Sequence, residues 1–194
     1  MQIEYEATFT DINKKESREK LKKIGARLIK PEFLQKRVVF NLPSGHEIKG
    51  GWLRVRDEGD KITMSLKIVD GNRIDDQKEI MLKINDFQSA ILFLGIIGCE
   101  KKAYQETKRE TWCINDVEIC LDEWPFLEPL LEIEGSSEEA VKVVVEKLGF
   151  DYSLAKFCSA DTIYSEKYGI SEDVFNNQTP RICFDMENPF LNRN

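Results

Sequence analysis

Eight short segments alternate apolar and polar residues with a period of two, and in nearly all of them the polar side is charged rather than merely hydrophilic. They are residues 3–9, 34–41, 52–57, 61–69, 77–84, 103–113, 117–123 and 130–134. In a strand, successive side chains point to opposite faces. In the first segment Glu4, Glu6 and Thr8 therefore share one face, and Ile3, Tyr5, Ala7 and Phe9 the other. Two carboxylates two residues apart repel, so that face is either bathed in water or holds cations. Glu132 and Glu134 repeat the pattern near the other end of the set. Between the two pairs lie strands that show Arg37, then Arg54 and Arg56, then Lys67, and later Arg109 on the polar side.

Three helices interrupt the strands. Asn13, with Glu16 three residues on, opens one that carries Leu21 and Ile24 and stops at Gly25. Residues 85–88 open an apolar one that runs through Leu94 and closes at Gly95 or Gly98. Ser136 and Ser137 with Glu138 and Glu139 cap a third that ends at Gly149. The pattern of two glutamates, capped helix and glycine thus occurs twice, a weak internal echo of two related halves. Strands and helices together predict an α+β fold over residues 1–150. Residues 151–194, with short helical turns and a tail containing proline and asparagine, read as a C-terminal extension packed on the same domain. Its place after the last strand suggests that it closes one end, with Tyr164 or Arg181 reaching inward.

Composition removes several functions. A net charge of −7 over 194 residues argues against non-specific binding to nucleic acid or to an anionic membrane. No basic start followed by an apolar run reads as a signal peptide, and no apolar stretch is long enough to span a bilayer, so a cytoplasmic protein is expected. The five cysteines form no C-x-x-C pair and His46 is the single histidine, which disfavours a Cys/His zinc site. His46 sits in S-G-H-E without nucleophile and base partners, which disfavours a Ser/His/Asp or Cys/His hydrolase. Trp52, Trp112 and Trp124 read as packing or rim residues rather than a base-stacking platform.

The charged faces leave two architectures open. An antiparallel sheet can leave its polar face in water. Alternatively the sheet closes with those faces inward, and about eight strands can enclose a ligand. The lumen would then hold Glu4, Glu6, Arg37, Arg54, Arg56, Lys67, Glu79, Lys83, Arg109, Glu118, Asp122, Glu132 and Glu134. Buried charges must be paired or coordinate metal. Hard carboxylate oxygens suit Mg²⁺ or Mn²⁺, and arginines offer paired donors to phosphate oxygens. One ligand that satisfies both sets is a polyanion carrying its own divalent cation, such as a metal–triphosphate.

These residues carry a resemblance. E-Y-E at Glu4 and Glu6, L-R-V-R at Arg54 and Arg56, S-L-K at Lys67, K-E at Glu79, K-R-E at Arg109, L-D-E at Asp122 and L-E-I-E at Glu132 and Glu134 occur in the order found in the CYTH, or triphosphate tunnel metalloenzyme, superfamily. The chain resembles that group, which includes class IV adenylyl cyclases, thiamine triphosphatases and inorganic triphosphatases, over roughly residues 1 to 165. The resemblance implies a closed eight-stranded antiparallel β-barrel, a tunnel, with helices packed on the outside. It implies a metal side of Glu4, Glu6, Asp122, Glu132 and Glu134, and a phosphate side of Arg54, Arg56, Lys67 and Arg109, with Arg37 and Lys83 as further cations. Glu4, Glu6, Arg56 and Lys67 are the expected catalytic set. Thr8 departs from the family's E-x-E-x-K signature, Thr107 replaces a basic residue, Met81 stands where an acid is common, and Arg37 stands where the family often has an acid.

The expected function is hydrolysis of a triphosphate (inorganic, thiamine or nucleoside) with Mg²⁺ or Mn²⁺ as cofactor. The alternatives are cyclisation of ATP to cyclic AMP, or polyphosphate or nucleotide binding without turnover. The expected partner is a small-molecule triphosphate, with neither nucleic acid nor membrane, and a homodimer is left open.

Overall fold

The computed structural model describes residues 1–191. Its sheet begins with β1 (Gln2–Ile3) and β2 (Tyr5–Phe9), a single extended run interrupted at Glu4. The remaining long strands are β3 (Arg27–Phe40), β4 (Gly51–Asp57), β5 (Ile62–Val69), β6 (Gln77–Ile84), β7 (Lys101–Ile114), β8 (Val117–Glu123) and β9 (Leu130–Gly135). Neighbours in the sheet run β1-β6-β5-β4-β3-β7-β8-β9-β2, all antiparallel. The two ends of that order are β1 and β2, so the sheet returns to its own first strand. With β1 and β2 counted as one run, eight strands enclose the lumen.

Closure is incomplete. Past Glu4, β2 leaves β6, and the seam is bridged instead by single contacts. Glu4 N donates to Gln77 O at 3.0 Å, the Gln77 side-chain amide donates to Glu6 O at 3.0 Å, and Thr8 exchanges backbone hydrogen bonds with Lys156 at 3.0 and 2.8 Å. The closed barrel expected from the sequence is therefore a nearly closed one with an unsealed seam. A short strand β10 (Arg181–Ile182) adds to β7 in parallel, where β8 does not reach.

β3 starts seven residues earlier than its alternation suggests. Pro31 lies inside it, in the stretch where the register with β7 is irregular between Lys30 and Phe33, and where β4 does not pair. An edge or bulge is where a strand tolerates a proline, because no ladder donor is lost there.

Helices cover the outer face where it is apolar. α1 (Lys14–Lys23), capped by Asn13 Oδ1 accepting from the Lys15 and Glu16 amides, and α3 (Glu138–Leu148), capped by Ser137 and ended by Gly149 at φ 71°, pack on β2, β8 and β9. Leu21, Val141, Val145 and Leu148 meet Ala7, Ile119, Leu131 and Ile133 there, all at most 2 % exposed. Each such fully buried side chain contributes about 1.5–3 kcal/mol. α2 (Phe87–Ile96) sets Ala90 and Leu94 against Val38, Phe40 and Val55. The outer face of β6 has no such cover, and Ile80 and Leu82 are exposed.

The C-terminal segment folds as α4 (Ala160–Tyr168) and α5 (Glu172–Asn177) around an aromatic cluster of Trp124, Tyr164, Phe175 and Phe190. Antiparallel order puts the end of β2, the end of β8 and the starts of β7 and β9 at one rim of the barrel, and this cluster sits there. Among the described residues no helix is long and apolar enough to cross a membrane.

Candidate functional site

The barrel encloses a cavity of about 1110 Å³, slightly above the usual range of small-molecule sites. Its two walls differ in sign. β2 and β9 pair Glu6 with Glu134 and Thr8 with Glu132, and β8 sets Glu118 opposite Glu134. The two glutamate pairs, far apart in sequence, thus lie side by side. Across the lumen, β3 and β4 pair Arg37 with Arg56, and β4 and β5 pair Trp52 with Lys67, with Arg54 between. Arg109 on β7 stands at the border, opposite Asp122 of β8.

Most of these charges are matched. Arg54 reaches Glu79 at 2.8 Å, and Arg56 reaches Glu58 at 3.1 Å. Lys67 Nζ lies 3.0 Å from Glu4 and 3.6 Å from Glu6. Arg109 grips Asp122 with both Nε and Nη2, the Nε contacts being 2.8 and 3.2 Å, and also bonds Glu132. Burial opposes the Lys67 ammonium, but Glu6 and Glu4 overcome it and hold its pKa above the ordinary value. Burial likewise opposes the Glu79 carboxylate, and Arg54 outweighs it, so its pKa falls to about 2.

Among the buried and half-buried strand residues named above, two charges are left over. Glu134 makes no ion pair among the described residues; burial, then the like charge of Glu6, push it up to about 7. Glu4 is raised to about 8, burial again outweighing Lys67, and burial raises Glu6. Arg37 is the opposite case. It is buried, its Nη2 donates to Gln35 Oε1 at 3.1 Å and to Thr107 Oγ1, its guanidinium lies 4.6 Å from the Trp124 ring centre, and among the described residues no carboxylate pairs with it.

The expected residues are placed as follows. Glu4, Glu6, Arg37, Arg54, Arg56, Lys67, Arg109, Glu132 and Glu134 all line the cavity. Asp122, expected on the metal side, does not: it is 1 % exposed, and both its oxygens face Arg109. Burial is the main cause that raises it to about 6, against the pull of Arg109. Lys83 shares its strand's inner face but is exposed and lies outside the lining, because β6 runs past the cavity there. Glu58 was missed: it sits in a hairpin turn, where alternation gives no direction, yet it is buried on the lumen side and holds Arg56.

The capped rim was legible only as a position. Cys158, Asp161, Ile163, Phe175 and Asn176 line the cavity there, so the extension contributes to its wall at one end. Tyr164 and Arg181 do not reach in. Tyr164 is fully buried and donates to Pro125 O, and Arg181 pairs with Asp185 outside. Trp52 and Trp124 stand at the lining, whereas Trp112 is buried outside it and donates to Glu110 at 2.7 Å.

The donor chemistry of the acidic wall fits a hard divalent cation. The strand-borne groups Glu4, Glu6, Glu79, Asp122, Glu132 and Glu134, with Glu58 of the β4–β5 turn, outnumber Arg37, Arg54, Arg56, Lys67 and Arg109, and the shortfall of positive charge is greatest at Glu6 and Glu134. The tunnel carboxylates are splayed toward their ion-pair partners. Among the described residues the one trio of ligand atoms within 4.8 Å is Glu106, Cys183 and Asp185, outside the tunnel and already contacted by Arg181.

A nearly closed antiparallel barrel with opposed acidic and basic walls defines a charged-tunnel protein. The chain belongs to the CYTH family: the CYTH domain model matches residues 2–163. No curated protein sequence gives a significant match. Solved structures share the fold. A Vibrio parahaemolyticus protein provisionally assigned as an adenylate cyclase superposes with a TM-score of 0.72 at 16% identity, covering 84% of this chain and 98% of its own. A conserved Pyrococcus furiosus protein gives 0.67 at 19%, covering 81% and 97%. A provisionally assigned adenylyl cyclase from Hippeastrum, with a dominant triphosphatase activity, gives 0.55 at 14%, covering 87% and 96%.

Proposed function

We propose that the protein hydrolyses a triphosphate in its tunnel with the help of Mg²⁺ or Mn²⁺. The observation that carries this reading is the pair of opposed walls, one short of positive charge and one presenting guanidinium and ammonium groups, within a single cavity. A metal–polyphosphate complex meets both needs, its cation at the glutamates and its phosphoryl oxygens at the basic wall.

Glu6 and Glu134, with Glu4 and Glu132 beside them, would hold the cation. Bound there, it would neutralise phosphate charge and polarise a phosphoryl oxygen. Arg54, Arg56, Lys67 and Arg109 orient the phosphoryl groups and stabilise charge that develops on their oxygens. Their carboxylate partners fix them in place before substrate arrives, so little reorganisation is needed at the moment of reaction. The α4–α5 cap limits water at one end. Asp122 acts through Arg109 as a positioning residue. Lys83 has no part in this reading.

The test is incubation of the protein with Mn²⁺, and separately Mg²⁺, and with tripolyphosphate, thiamine triphosphate or ATP. Release of orthophosphate is the expected result. Cyclic AMP and pyrophosphate from ATP would make the protein a cyclase, the activity to which the Vibrio protein is provisionally assigned. Tight binding without turnover would make it a polyphosphate or nucleotide sensor. Neither binding nor turnover would end the tunnel reading of function.

A further inference from the structure

The partnerless polar atoms of the tunnel are sorted by position. On the basic wall all of them are donors: Arg37 Nε, Arg54 Nε and Gln35 Nε2 are buried and donate to nothing among the described residues. A buried donor without an acceptor destabilises the fold, and native proteins retain few of them without a reason. Gln35 and Arg37 are neighbours on the inner face of β3, and Arg54 pairs with Val39 on the adjoining strand.

Arg37 is the centre of this group. It is 6 % exposed and lines the cavity. Gln35 Oε1 and Thr107 Oγ1 hold its Nη2, and the Thr107 hydroxyl in turn donates to Gln35 at 3.1 Å, so the guanidinium plane is fixed. The Trp124 ring lies against it. Arg54, Arg56, Lys67 and Arg109 each already have a carboxylate partner. Burial, then the charges of Arg54, Arg56 and Arg109, all work against the Arg37 proton. An arginine packed with three like charges and no counter-ion is a poor way to build a stable wall, and a good way to build a site for an anion.

We propose that Arg37, braced by Gln35 and Thr107, anchors one phosphoryl group of the polyphosphate, and that the fold carries it at a cost in stability for that purpose. The proposal deepens the function put forward above and rests on it. Of the five cations, Arg37 gains most from an incoming oxyanion, because an anion there supplies the acceptor and the counter-charge together. It therefore sets affinity more strongly than the arginines already matched by Glu79 and Glu58.

The experiment compares the wild type with Arg37→Met and Arg37→Lys. Thermal unfolding without ligand is read first, and tripolyphosphate binding by calorimetry, with and without Mn²⁺, second. Arg37→Met should raise the melting temperature of the ligand-free protein and weaken tripolyphosphate roughly 10–100-fold, the span of one lost charge-assisted bond. Arg37→Lys, which keeps the charge and loses the fixed plane, should fall between. A lower melting temperature or failure to fold for Arg37→Met would assign Arg37 a structural role and overturn the proposal, as would unchanged affinity. If the wild type itself binds no tripolyphosphate, the function fails first; if it binds and Arg37→Met binds equally well, only the anchor fails.

Discussion

The two walls of the tunnel solve the problem of buried charge in different ways. On the basic wall, Arg54 and Arg56 take carboxylates from their own neighbourhood, Glu79 and Glu58, so the wall is balanced except at Arg37. On the acidic wall, Glu4 and Glu6 share Lys67, Glu132 shares Arg109 with Asp122, and among the described residues Glu134 has no cation. Among the residues just named, Glu134 and Arg37 are thus unmet on facing walls; Glu118 and Lys102 also line the cavity outside the ion pairs of the described residues. A protein selected for stability alone would let Glu134 and Arg37 meet, or would lose both. Keeping them apart leaves room for a ligand that carries both signs.

The largest effect should come from breaking the matched part. Arg109→Met would strand Asp122, which is 1 % exposed, together with Glu132. Removing one partner of a buried ion pair costs about 3–5 kcal/mol. Denaturant unfolding should show a loss in that range, and a loss under 1 kcal/mol would mean that the border between the walls is hydrated rather than locked.

The next contrast sets Glu79 against Glu134. Glu79→Gln removes a charge that Arg54 needs and should cost roughly 1.5–3 kcal/mol, the scale of a hydrogen bond to a charged group. Glu134→Gln removes a charge with no partner, so it should leave stability unchanged or slightly higher while weakening Mn²⁺ binding, read by electron paramagnetic resonance. The pH dependence has the same origin. Glu134 and Glu4 are raised from the ordinary 4.5 to about 7 and about 8, so the folded state holds protons that the unfolded chain releases. Their contribution is complete below 4.5 and is lost as pH climbs through 7 to 8. Glu79, lowered to about 2, is complete above 4.5 and constant across this window. Ligand-free protein should therefore be more stable at pH 5 than at pH 8, Glu134→Gln should flatten the slope, and Mn²⁺ should stabilise more at pH 8. A flat profile in the wild type would mean that the acidic wall is already compensated.

Much of this site could be read from period-two alternation, because a closed sheet turns alternation directly into an inside and an outside. Nine of the eleven residues expected at the site line the cavity for that reason. Alternation gives a face but not a depth. Lys83 has the right face and lies beyond the cavity, and Asp122 has it and lies behind Arg109. Glu58 was hidden because a turn has no period, and the first half of β3 because Pro31 looks like a strand breaker until the bulge that accommodates it is seen. Which charges meet was the least legible. The Arg109–Glu132 contact depends on β8 lying between β7 and β9, and no local pattern states that.

The smallest expected effect tests whether the acidic wall is short of charge by one cation. Thr8 is 3 % exposed, lines the cavity and pairs with Glu132 on the acidic wall. A lysine there has the cavity to enter, so Thr8→Lys need not disturb the core behind β2. Its ammonium would join Lys67 and Arg109 among the carboxylates and draw the Glu134 and Glu6 pKa values down. The change in stability should be under about 1 kcal/mol, because the attraction gained is offset by desolvation of the new charge. The pH profile should nevertheless respond, with a shallower fall between pH 5 and 8 than in the wild type, and Mn²⁺ affinity should drop as the wall's need for a cation is partly met. If Thr8→Lys leaves both the slope and Mn²⁺ affinity unchanged, the shortage lies at Glu134 alone and is out of reach of position 8. The divalent site would then be confined to Glu6, Glu134 and their neighbours toward the open rim.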